Sequence, residues 1–396
     1  MRILILFPNL PFPPDMGQKH RFAHLALYLG QHHEVYLACF SEHEGDEQQR
    51  QKMLPRFSGI SLVPVNQAPE GNTLTGLLSG VPGGVRIYEN KQAEEKIKSI
   101  VRDFDPTIII AGDPAMTPYI EPWEDRTRIL DYVCEATLQF ERMQALSSGL
   151  DSLMWRLRRL KYGKYLRQIA QHYDVCVVNS QEDLDSLARY WPEELIEIIP
   201  NGLDLNQYPL GLAEKKLNTL VYPGSVTYSP NHDAVDFFGK EVLPLIHKVV
   251  PEARLWVTGP IPSDGSAPQH KGIHYTGYVD DVRTIIASAT ICVVPLRLGA
   301  GGVRFKVLES LALGTPMVST AIGYEGVSVT DGVNIMKAES AEEIADRTLQ
   351  LLRSPELRDQ LASAGRRLIE DSYNWEKLGK QFTDLFHGSA ISEPRN

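Results

Sequence analysis

Apolar runs of strand length alternate along this chain with stretches whose apolar positions recur every three to four residues, the mark of strands followed by amphipathic helices. Arg2 to Phe7 (RILILF) is the first such run, and a proline-rich loop through Gly17 leads into a helix predicted from about Lys19 to Leu29. Strands are predicted again at Glu34 to Phe40, Ile60 to Val65, Thr107 to Ala111, Arg128 to Val133 and Asp174 to Val178, with helical stretches between most of them. After a polar linker, Gly211 to Asn218, the layout restarts at Thr219 with TLVYPGSVTYSPNHDAVDFF, and strands follow at Arg254 to Thr258 and His274 to Gly277. Helices are predicted around Ala341 to Arg353, Pro355 to Asp371 and Trp375 to Phe386. Continuous apolar strands between helices predict an α/β chain built on parallel sheets covered on both faces. The restart predicts two domains, 1–208 and 209–375, with a last helical segment at 376–396.

The stretch from Thr290 to Thr320 carries the most chemistry. It reads as a strand (Ile291 to Pro295), a turn (Gly299-Ala300-Gly301-Gly302), a helix from about Val303 to Leu313 and a second strand entered through Gly314-Thr315-Pro316. At about 100° per residue, Val303, Val307, Leu308 and Leu311 share one side of the helix, while Lys306 and Glu309 share the other. Arg304 falls among the apolar positions, in a first turn where the helix dipole disfavours a cation. A phosphate or diphosphate at the helix start resolves that conflict, since free N–H groups, glycines and two long cations together suit an anion. Glu309, one turn on, is then placed to accept from sugar hydroxyls. The competing reading has Arg304 snorkelling, Lys306 and Glu309 as a solvated pair, and the glycines only closing a tight turn.

The run GAGGVRFKVLESLALGTPMVST is similar to the donor-site segment of GT-B glycosyltransferases, especially the retaining GT4-type enzymes (glycosyl transferases group 1), and the likeness covers most of the chain. It implies a GT-B fold, two Rossmann-like domains facing a central cleft, with 376–396 returning to the first domain. It also implies that Arg304 and Lys306 contact the donor diphosphate, that Glu309 contacts the nucleotide ribose, and that Gly301 and Gly302 lie against the donor. Gly17 matches the family's glycine before the first helix, where Arg21 is an extra cation. Asn201, Gly202 and Asp204 match its P-N-G-x-D segment. Asp280-Asp281-Val282 resembles the loop near the nucleotide base, and Tyr324-Glu325-Gly326 the turn near the donor. Gly224 and Ser225 stand at a strand exit, where backbone and hydroxyl donors reach a phosphate, and Asn231 reads as the N-cap of the next helix. One departure concerns the sugar: many members carry a glutamate eight positions before the one matching Glu309, and here that place is Gly301.

Other candidates divide between chemistry and structure. Asp131 and Glu135, near a strand's carboxyl end, fit either acid–base or orienting work or a simple helix N-terminal charge. His20 and His24 share a helix face without a third ligand, and the matches Asp103-Phe104-Asp105 and Asp183-Leu184-Asp185 fall at a helix end or on a helix face, so no metal site is expected. Gln67 to Gly84 reads as a surface excursion, or as a lid over an acceptor. Leu153 to Arg167 holds six cations among leucines and aromatics. It suits an anionic membrane surface or, the reading favoured because Gly163 interrupts the stripe, a helix packed on its own domain.

Composition narrows the classes. A net charge of −10 over 396 residues argues against a nucleic-acid binder. Four scattered cysteines without a CxxC pair fit buried thiols in a reducing compartment. The five-residue apolar run before the N-terminal prolines is short for a secretory signal, and no stretch has the length to span a bilayer. GxGxxG is missing after the first strand and no Walker A motif occurs. The expected function is a retaining, metal-independent, cytoplasmic glycosyltransferase, alone or peripheral on the inner membrane face. It takes a nucleotide-diphosphate-sugar as co-substrate, no further cofactor, and a glycan, lipid-linked or small-molecule acceptor. A GT-B nucleotide-sugar epimerase and a non-catalytic nucleotide-sugar-binding subunit are the alternatives.

Overall fold

A computed structural model of the chain describes residues 1–14, 17–41, 45–65, 81–133, 136–299 and 303–387. Glu135, Gly301, Gly302 and most of the Gln67–Gly84 excursion lie outside the described residues. The chain divides into two compact units.

Of the described residues, the first unit takes 1–200 and, from the C-terminal end, 378–387. Its strands are β1 (Arg2–Phe7), β2 (Glu34–Ser41), β3 (Gly59–Pro64), β4 (Ile108–Ala111), β5 (Thr127–Asp131), β6 (Val175–Val178) and β7 (Ile196–Ile198). They form one seven-stranded sheet in the order β3-β2-β1-β4-β5-β6-β7, parallel throughout. Ile3 to Phe7 are buried, as a central strand covered on both faces requires. Gly379 lies against the Tyr28 ring, and Phe386 sits 6.0 Å from His33, both within this unit.

The second unit comprises Asn201–Gly299 and Val303–Lys377. Its strands are β8 (Lys216–Tyr222), β9 (Arg254–Val257), β10 (Ile273–Tyr275), β11 (Ala289–Val294), β12 (Met317–Ser319) and β13 (Met336–Lys337), ordered β10-β9-β8-β11-β12-β13 and again parallel. The division falls at Pro200 rather than 208, because Leu203 exchanges backbone hydrogen bonds with Tyr373 and Trp375, and Tyr208 joins the second core. Each sheet reverses its winding once, between β1 and β4 and between β8 and β11. Open α/β sheets bind ligands beyond the carboxyl ends of the strands at such switch points.

Two expectations are corrected. The helix read as Val303 to Leu313 is Phe305–Ala312, because Arg304 holds an extended backbone (φ −84°, ψ 101°) as its N-cap. Gly314, at φ 66°, closes its other end in the left-handed conformation glycine adopts without strain. Gly163 does not interrupt the basic stretch. Gly149–Ile169 is one continuous helix, and Gly163 sits where a Cβ would run into the Tyr190 ring. Packing accounts for only one face of that helix: Tyr165, Leu166 and Ile169 are buried, whereas Leu153, Leu157 and Leu160 stand in solvent.

Candidate active site

The second sheet's switch point is built from the end of β8, the turn and helix start that follow it, and helix Phe305–Ala312. The Lys306 ammonium donates to the Tyr222 hydroxyl and to Asn231 Oδ1, each at 3.0 Å, and lies 4.2 Å from the Tyr222 ring centre. Tyr222 donates to the same Asn231 oxygen at 2.7 Å, and Asn231 Nδ2 donates to the Ser225 carbonyl at 2.8 Å. Gly224, at φ 152°, runs beneath: a Cβ there would come 2.8 Å from Lys306 Nζ and 2.9 Å from Asn231 Nδ2. The glycine is therefore the space in which the lysine head sits. Both hydrogen-bond acceptors of Lys306 are neutral. Burial is the main cause that pushes its pKa down to about 7, and the nearby Arg304 guanidinium adds to it, while Glu309 acts the other way.

Arg304 is balanced differently. Its guanidinium crosses Gly299 and meets Glu325 at 3.2 Å and the Ile322 carbonyl at 3.4 Å. The expected turn near the donor thus supplies a carboxylate to the arginine. Glu309 accepts from the Tyr208 hydroxyl at 2.9 Å instead of pairing with Lys306. Burial pushes the Glu309 carboxyl up, and the Tyr208 hydrogen bond opposes that rise. Arg283 stacks 5.8 Å from the Tyr208 ring and donates to the Gln207 carbonyl at 2.7 Å, and Asp281 of the expected base loop pairs with it at 2.8 Å. The Ser225 hydroxyl turns to the Pro260 carbonyl and to Thr227, 2.7 Å from each.

The sequence singled out Arg304, Lys306, Glu309, Gly224 and Ser225, and the structure gathers them in one unit. It missed Tyr222 and Tyr208, and it gave Asn231 a cap. The N-cap position of helix Ser229–Phe237 is held by Tyr228, without a side-chain cap, and Asn231 lies in the first turn with its side chain turned inward to Lys306 and Tyr222. A tyrosine ending a strand two residues before a glycine is the one signal that could have found Tyr222.

The first unit's candidates behave otherwise. Gly17 opens helix Gly17–His32 and is exposed. Asp131 is not an open carboxylate: it has no exposed surface, and its two oxygens take Arg21 Nε at 2.9 Å and Nη2 at 2.6 Å. Arg21, equally buried, also donates to the carbonyls of Ile199 (2.8 Å) and Pro200 (3.2 Å). The pair therefore ties the first helix to β5 and to the exit from β7, which corrects the expectation that Asp131 faces a reacting group. Asp113, just past β4, is a carboxylate the sequence did not single out, and burial pushes it up to about 6. The two DxD matches are structural: Asp105 pairs with Arg2 and Arg126, and Asp183 bonds Ser180 at a helix start.

Residues 218–354 match the family model described as Glycosyl transferases group 1. The chain is 23% identical over 252 residues to the GDP-mannose-dependent monoacylated alpha-(1-6)-phosphatidylinositol monomannoside mannosyltransferase of Corynebacterium glutamicum, a match spanning 58% of this chain and 65% of that protein. It thus covers less than two thirds of that relative. Among solved structures, Anabaena HepE in complex with UDP superposes with a TM-score of 0.68 at 12% identity, covering 98% of this chain and all of the other. Sucrose-phosphate synthase from Thermosynechococcus elongatus also gives 0.68, at 15% identity and 98% coverage of both chains. The family match thus falls within the second unit, and the chain as a whole shares the GT-B fold of these solved structures.

Proposed function

We propose that the chain moves a sugar, with retention of configuration, from a nucleotide-diphosphate-sugar to a hydroxyl of a glycan, lipid-linked or small-molecule acceptor. The observation that carries this is Lys306, a desolvated ammonium whose two hydrogen-bond acceptors are both neutral, beside the N-terminus of helix Phe305–Ala312. A diphosphate supplies the opposite charge. The UDP named with HepE and the GDP-mannose named for the corynebacterial relative support a nucleoside diphosphate as the leaving group.

As the bond between the anomeric carbon and the diphosphate oxygen breaks, negative charge grows on that oxygen. Lys306 and the helix N–H groups meet it in the transition state more than in the ground state. The acceptor oxygen bonds to the same face of the anomeric carbon, and its proton passes to the departing phosphate oxygen. No protein carboxylate is then required as base, and the charge is met by protein cations, which makes the reading metal-independent. Glu309, oriented by Tyr208, accepts from the ribose hydroxyls. The cytoplasm suits the buried free thiols of Cys39, Cys176 and Cys292, and among the described residues no helix is long and apolar enough to cross a membrane.

Calorimetric titration with UDP, GDP and ADP tests the donor site, followed by product analysis with the matching sugars, in chelator, by anomeric NMR. Tight binding of one nucleoside diphosphate, much weakened in Lys306→Met, is the expected result. Binding that is absent for all three, or identical in the variant, overturns the assignment. Binding without hydrolysis or transfer turns it towards the non-catalytic alternative.

A further inference from the structure

Helix Gly149–Ile169 has two apolar faces. One packs inward, where Trp155 and Tyr162 meet Phe140 of helix Ala136–Leu146 at ring distances of 5.8 and 5.9 Å. At about 100° per residue, the other collects Leu150, Leu153, Met154, Leu157 and Leu160 within an arc of roughly 120°. Each of those five side chains is between 49% and 80% exposed. Single aliphatic side chains in water are ordinary, but five on one face over three turns form a contiguous patch that calls for a partner.

The surrounding charge identifies the partner. Lys161 and Lys164 continue the same face towards the C-terminal end, and Arg156 and Arg158 lie along its two borders, Arg158 resting 4.7 Å from the Trp155 ring. Asp151 is the one acidic residue in the helix. This cationic rim stands in a chain whose net charge is −10, so it runs against the global field. Two copies meeting through this face would set cation against cation. An anionic surface would gain from every one of them.

We propose that this face lies in the interface of an anionic lipid bilayer, with the leucines and Met154 among the upper acyl chains and Arg156, Arg158, Lys161 and Lys164 at the phosphates. Long basic side chains lay their methylene stems along the apolar layer and keep their charge at the headgroups. The inference stands on this surface alone and does not depend on the donor-site reading.

Flotation of the full chain with vesicles tests it, using neutral phosphatidylcholine and phosphatidylcholine containing phosphatidylglycerol, at low and high salt. The expected result is capture by the anionic vesicles, weakened by salt. Arg156→Gln with Lys164→Gln lowers partitioning roughly thirtyfold. Leu153→Ser with Leu157→Ser lowers it roughly tenfold or more. Both pairs are exposed, so unchanged thermal unfolding and unchanged nucleotide binding accompany the loss. No capture by anionic vesicles, or capture undiminished in both double variants, overturns the proposal. A dimer that dissociates in Leu153→Ser with Leu157→Ser, without vesicle capture in the parent, overturns it in favour of a second copy.

Discussion

The two switch points offer the same topological setting and use it in opposite ways. Beside the first, Arg21 is sealed against Asp131 and two backbone carbonyls, so its charge is cancelled within the protein. Beside the second, Lys306 is held by a phenol and an amide, groups that fix its position and leave its charge uncompensated. An internally paired cation ties chain segments together. A desolvated cation with neutral acceptors keeps its attraction for an anion, strengthened by the low local dielectric.

The largest effect that probes this contrast is Asp131→Ala. Leaving the buried Arg21 guanidinium without its carboxylate costs about 3–5 kcal/mol, read as a lower denaturation midpoint, and replacing both partners by apolar residues costs much less. Full stability with transfer abolished would return Asp131 to the chemistry and break the comparison. Lys306→Met is expected to do the reverse, leaving stability intact, weakening nucleoside-diphosphate binding and lowering the rate of transfer by about 10²-fold, as when one donor to a developing oxyanion is removed.

pH sharpens the same point. With its folded value pushed down to about 7, Lys306 binds its proton more weakly folded than unfolded, so stability rises with pH from about 7 towards the ordinary lysine range. Lys215, pushed down to about 8, contributes the same sign, so the informative quantity is the difference from Lys306→Met across that range. A diphosphate draws the proton on. Affinity is therefore expected to fall by up to about tenfold per pH unit above 7, with proton uptake measurable by calorimetry in buffers of different ionisation heat. Lys306→Arg, charged throughout, flattens that slope. The smallest effect is Tyr208→Phe. Losing one hydrogen bond to Glu309, worth about 0.5–1.5 kcal/mol, blurs discrimination between UDP and its 2′-deoxy analogue by a few-fold.

Much of the fold was legible because parallel strands buried on both faces announce themselves as apolar runs, and β1, β2, β4, β6 and β11 each fall within two residues of the expected bounds. The three-residue β7 was not, since so short a strand carries no period of its own. In the site, Arg304, Lys306 and Glu309 stood out as polar residues on a helix that otherwise packs. Their partners did not. Tyr222 lies 84 positions from Lys306, Asn231 lies 75, and Tyr208 lies 101 from Glu309, separations that leave no local pattern to read.

From its order of residues alone, this chain determined where strands and helices form, that its sheets are parallel and in two sets, and that two cations stand at the start of one helix. Each depends on neighbours within a turn or a strand. Tertiary structure decided which of its cations are neutralised: Arg21 by a carboxylate 110 residues away, Arg304 by one 21 residues away, and Lys306 by none within hydrogen-bond reach among the described residues. It also decided that Leu150, Leu153, Leu157 and Leu160 face outward while Leu166 packs inward. Compensation of charge and burial of apolar surface depend on what the folded chain brings alongside, and segments remote in sequence supply it.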